Sequence, residues 1–111
     1  MVVGGANIIA GILRSEYYQD IYNNVHDFKF LNKSEQELDE IIHNYKSKNI
    51  LLRILNPWSK DKVNYDSAIA IKNMKLLGIE KFPIEAGETT VSTLENTLNS
   101  LKKQAKKLLR K

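Results

Sequence analysis

Six cations and no acid occupy the last ten residues of the 111-residue chain: Lys102, Lys103, Lys106, Lys107, Arg110 and Lys111. Clustered ammonium and guanidinium groups bind phosphate, and a chain of phosphates best of all, because each contact releases a condensed counterion. A second stretch with chemistry is Trp58-Ser-Lys-Asp-Lys-Val-Asn-Tyr65, which holds the only tryptophan beside Lys60 and Lys62. An indole among lysines can stack a base while the ammonium groups meet phosphates. Each stretch has a plainer alternative. Trp58 can fold back onto the core with Lys60 and Lys62 as solvent cover, and cations suit a helix C-terminus, although six in ten residues exceed what the dipole needs.

Nothing comparable speaks for catalysis. His26 and His43 are isolated, and no H-x-x-x-H, H-E-x-x-H or cysteine is present to complete a metal site. His26 adjoins Asp27, but adjacent side chains diverge in a helix and in a strand alike. There is no G-x-S-x-G elbow around any serine and no G-x-G-x-x-G after Gly4-Gly5. The acids Glu35, Glu37, Asp39 and Glu40 suit the start of a helix and read as a solvated face. The expectation is a protein that is not an enzyme and takes no cofactor and no metal.

Charge and composition narrow the class. The net charge is +4, yet residues 102–111 alone carry +6, so residues 1–101 hold eleven bases against thirteen acids. This is a nearly neutral body with a basic end. A hydrophobic share of 42% with 27% charged residues is that of a globular chain, and 111 residues suffice for one domain with a real core. The expected organisation is a single domain, 1–111, with a basic C-terminal helix at 91–110. Absence of cysteine suits a reducing cytoplasm. Met1 to Leu13 is apolar but has no basic leader, and it falls short of the ~20 residues of a membrane span, so no membrane partner is expected.

The elements that must position these residues follow from periodicity. Ile9, Leu13, Tyr17, Ile21 and Val25 form an i+4 ridge that predicts helix over about 6–25, as one helix or as two divided near Ser15. His26–Leu31 alternates weakly, as a first strand with Phe28 and Phe30 on one face would. Ser34-x-x-Glu37 has the form of a capping box ahead of Leu38, Ile41, Ile42 and Tyr45, which predicts helix over 34–47. Asn49-Ile-Leu-Leu-Arg-Ile-Leu-Asn56 reads as a central strand, 50–55, buried on both faces. A polar loop follows to Tyr65. A third helix, capped by Asp66 or Ser67, runs to Leu77 with Gly78 at its end and is apolar around most of its circumference. Ile79–Glu85 is a candidate edge strand containing Pro83.

The last helix is the clearest pattern. Thr89 or Thr90 can cap it, and Val91, Leu94, Leu98, Leu101, Ala105 and Leu108 share one arc of about 100°. Such a stripe packs on its own domain or pairs with a partner helix. The expected fold is therefore α/β, about three short strands with four helices. The rival is an all-α bundle in which 34–55 is one long helix.

Leu52 to Ile79, with Arg-Ile-Leu-x-Pro, a polar loop, Ala-Ile and Leu-Leu-Gly-Ile, resembles a strand–helix–strand unit of phospholipase-D-like nucleases over about a quarter of the chain. The H-x-K-x-x-x-x-D motif of that family is missing, because His26 and His43 each precede lysine by three positions rather than two. The resemblance therefore implies a local α/β unit and no activity.

Two functions remain. In the first, a small non-catalytic accessory module binds nucleic acid, as a subunit of a larger complex, through Lys102, Lys103, Lys106, Lys107 and Arg110, with Trp58, Lys60 and Lys62. In the second, an interaction adaptor or oligomer pairs through Val91, Leu94, Leu98, Leu101 and Leu108. Burial of that stripe within its own chain would leave the cations as the free surface of the helix and favour the first.

Overall fold

The computed structural model describes residues 2–84 and 90–110, with side chains from residue 11 onward. The described residues form six helices and no strand: α1 (Val2–Val25), α2 (Phe28–Leu31), α3 (Glu35–Lys46), α4 (Ile50–Leu55), α5 (Lys60–Leu77) and α6 (Val91–Leu109). This corrects the α/β expectation: the fold is all-α. The rival all-α bundle fits, with one difference: Ser47–Asn49 divides residues 34–55 into α3 and α4 rather than leaving one long helix.

Each predicted strand fails for its own reason. At 26–31 the Asp27 carboxylate accepts the Lys29 amide at 3.1 Å and caps the single turn α2. Phe30 is then buried while Phe28 is 79% exposed, so the two rings do not share a face. Residues 79–84 are irregular; the Ile79 amide donates to the Met74 carbonyl at 2.8 Å, and Phe82 turns into the core. Glu85 lies outside the described residues. With neither neighbour extended, 50–55 has no ladder to join, and its backbone satisfies itself as a helix. Asn49 starts that helix, its side chain accepting the Leu51 amide at 2.8 Å.

Local signals are obeyed where they concern helices. Ser34 Oγ accepts the Glu37 amide at 3.1 Å, and Glu37 Oε1 accepts the Ser34 amide at 3.4 Å, completing the capping box of α3. Gly78 ends α5 at φ 73°, where a side chain would be strained. Thr90 caps α6; Thr89 lies outside the described residues. α5 begins six residues before the predicted Asp66, because Ser59 Oγ accepts the Lys62 amide at 3.2 Å.

The centre of the molecule is α5. It packs against α1, α3 and α6, which explains an apolar surface running around most of its circumference. Val63, Ala68, Ala70, Ile71 and Met74 meet Tyr17, Ile21 and Val25 of the continuous helix α1, Leu38 of α3, and Leu94 and Leu101 of α6. Each fully buried aliphatic side chain here contributes about 1.5–3 kcal/mol. One polar bond crosses this core, Asn24 Nδ2 donating to the wholly buried Ser67 Oγ at 3.1 Å.

Candidate nucleic-acid interface

The basic helix α6 lies against α5 and α1 through its apolar side. Leu94, Leu101 and Ala105 are buried, and Val91 and Leu98 are half-buried. Leu108 alone of the stripe emerges, 43% exposed at the helix end. The opposite side carries the cations. At about 100° per residue, Lys102, Lys106, Arg110, Lys103 and Lys107 follow one another over an arc of about 140°, and they extend along about 12 Å of axis. All five are exposed.

These cations also lack partners among the described residues. Elsewhere among the described residues five ion pairs form: Arg14 with Glu95, Lys33 with Glu37, Lys48 with Asp61, Lys62 with Asp66, and Lys72 with Asp39. None of the five α6 cations stands in an ion pair with a described carboxylate. Unneutralised cations on a rigid helix face hold a stripe of positive potential that attracts a polyanion.

Where α6 passes the start of α5, a second group of charges gathers. Tyr45 of α3 and Tyr65 of α5 stack with ring centroids 4.5 Å apart. Lys62 Nζ stands over both rings, 5.5 Å from Tyr45 and 4.9 Å from Tyr65, and the Arg53 guanidinium lies 5.7 Å from Tyr45. Lys62 also donates to Asp66 Oδ1 at 3.3 Å. Burial pushes the Lys62 ammonium below its ordinary pKa, and the like charges of Lys102 and Arg53 add to the effect. Asp66 is 8% exposed; burial pushes its carboxyl up to about 6, with Lys102 opposing. Lys102 thus joins the α6 stripe to the Arg53–Lys62 group. Arg53 Nε is buried with no hydrogen-bond partner among the described residues.

The Trp58 stretch is arranged differently from its reading as a loop. Residues 60–65 are the first turns of α5. Trp58 is half-buried and packs against the core. Lys60 is exposed, whereas Lys62 is engaged with Asp66 and the two tyrosines. Sequence reasoning missed Arg53, Tyr45 and Asp66 as neighbours of Lys62. The Lys62–Asp66 spacing of four was a usable signal, hidden by placing 60–65 outside a helix.

The histidines sit apart from this region. His26 Nδ1 donates to the Tyr22 carbonyl at 2.8 Å, with its ring against Tyr22 and Phe82. His43 is exposed on α3. Among the described residues no group of three His, Cys, Asp or Glu could hold a metal, and no helix is long and apolar enough to cross a membrane. An open cleft of ≈ 650 Å³ between α3 and α5 is floored by Leu38, Ile42, Ile69 and Leu76 and reached by Leu109. Comparison with protein-family models, with curated proteins and with solved structures finds no match.

Proposed function

We propose that this chain is a small non-catalytic nucleic-acid-binding module, working as an accessory subunit, that holds the phosphate backbone along the exposed side of α6. The observation that carries the reading is the division of that helix. Its apolar side is used up against α1 and α5, and the remaining side offers Lys102, Lys103, Lys106, Lys107 and Arg110, none of them in an ion pair with a described carboxylate. The same burial removes the seam an adaptor built on Val91–Leu108 would need, since Leu94 and Leu101 are each 2% exposed.

Such a contact is read by charge and spacing, so it supplies affinity with little sequence preference. Fluorescence anisotropy with single- and double-stranded oligonucleotides over a salt series tests it. Wild-type affinity is expected to fall steeply with salt. Changing Lys102, Lys103, Lys106 and Lys107 to Gln is expected to weaken binding equally for all sequences and to flatten log K against log salt by roughly 0.7–0.9 per lost contact. Gln has nearly the helix propensity of Lys, and these positions lie off the apolar stripe, so folding should hold. Wild-type affinity and slope in that variant would refute the reading.

A further inference from the structure

Among the described residues α4 presents an apolar surface that the fold leaves uncovered. Ile50, Leu51, Leu52, Ile54 and Leu55 are 64, 61, 64, 67 and 71% exposed, and the helix takes no substantial part in the packing of its neighbours. Together they make an apolar patch on the order of 500 Å², comparable with the largest patches that monomeric proteins show. At about 100° per residue the five side chains sweep an arc of about 200°, with Arg53 opposite. Arg53 turns back over Tyr45, so its charge faces the body. The ion pair of Lys48 with Asp61 ties the chain together just before and just after α4, leaving the helix at the tip of a closed excursion.

Charge and shape discriminate among the things that could cover such a knob. Residues 46–66 hold Lys46, Lys48, Arg53, Lys60 and Lys62 against Asp61 and Asp66, a net +3. With Lys48 paired to Asp61, Lys62 to Asp66 and Arg53 turned to the body, Lys46 and Lys60 are exposed beside α4 and in no ion pair with a described carboxylate. Two copies meeting through α4 would bring these equal charges face to face, which opposes a symmetric dimer. A protein partner would need a cup enclosing some 200° of a convex helix, with its polar rim matched to Lys46 and Lys60. A fluid hydrocarbon surface closes around any convex apolar shape, and basic residues at its rim meet anionic headgroups.

We propose that α4 is an insertion knob by which the chain docks, from one side, on an anionic bilayer surface. Ile50, Leu51, Leu52, Ile54 and Leu55 enter below the headgroups while Lys46 and Lys60 stay at the phosphate level. Lying in the plane of the surface with Arg53 uppermost, a helix ~10–12 Å across buries its apolar side to about the ~5–10 Å depth of interfacial insertion, which requires no membrane-spanning segment. The expectation of no membrane partner rests on the lack of a span, and the exposure of α4 is not visible in the sequence. The proposal is independent of the nucleic-acid reading, because it rests on α4 and not on α6.

Co-sedimentation with vesicles of phosphatidylcholine alone, and with phosphatidylglycerol at about one lipid in three, tests it. Wild type is expected to bind the anionic vesicles and hardly the neutral ones. The variant Leu51→Asn/Leu55→Asn is expected to lose vesicle affinity about tenfold or more, with its circular dichroism and its oligonucleotide anisotropy unchanged. Three results each overturn the proposal: no binding of wild type to anionic vesicles at low salt, equal binding by the variant, or a wild-type dimer in light scattering that the variant abolishes. Should the double variant fail to fold, Leu55→Asn alone, at the most exposed of the five positions, is judged by the same outcomes.

Discussion

Replacing Asp66 by asparagine should alter the pH dependence of stability by an amount the structure supplies. The carboxyl is buried beside α1 and α6, and burial raises its pKa from 3.8 to about 6 despite the opposing ammonium of Lys102. The folded chain therefore holds a proton that the unfolded chain has released, across the interval between those two values. Stability falls wherever the native state binds more protons, so wild type must lose stability as pH rises through this interval. The full shift amounts to roughly 3 kcal/mol, of which about 2 kcal/mol is lost between pH 4.5 and 7.5. The amide of the Asp66→Asn variant cannot titrate and makes no such contribution. Urea denaturation of both proteins at matched pH values isolates the effect, because every other carboxylate is common to the two. The stability of Asp66→Asn minus that of wild type should climb by about 2 kcal/mol over that range. A difference that stays flat, or falls, would refute the claim that burial outweighs the charge of Lys102 at this site.

Two further outcomes follow from the packing. Leu38→Ala, at a wholly buried position facing α5, should cost about 2–5 kcal/mol in urea denaturation, while Leu109→Ala, 72% exposed, should cost almost nothing. Trp58→Ala should lower stability by about 1–3 kcal/mol through its packing on the core and leave the salt slope of oligonucleotide binding unchanged; a normal stability with lost binding would instead return the indole to the interface.

The helix ends and the helix faces were written locally. Ser34 with Glu37, Gly78 after Leu77, and the Val91–Leu108 stripe each act within a few residues of themselves, and the structure places a cap, a left-handed glycine and a buried face where the spacing says. The circumference of α5 told of its central position for the same reason: a helix that is apolar nearly all round must be covered. The basic side of α6 was legible too, since cations and stripe alternate with one period.

What the order of residues could not decide is what lies opposite. Ile50–Leu55 looks the same whether sheet neighbours flank it or water does, and only the helical turn at 28–31 and the irregular path of 79–84 deny it a ladder. The group formed by Tyr45, Arg53, Lys62, Asp66 and Lys102 draws on four helices, so no local spacing announces it. The physical reason is common to both cases. A helix closes its hydrogen bonds on its own backbone and can be read from its own residues, whereas strand pairing, burial and pKa depend on groups that the chain brings together only by folding.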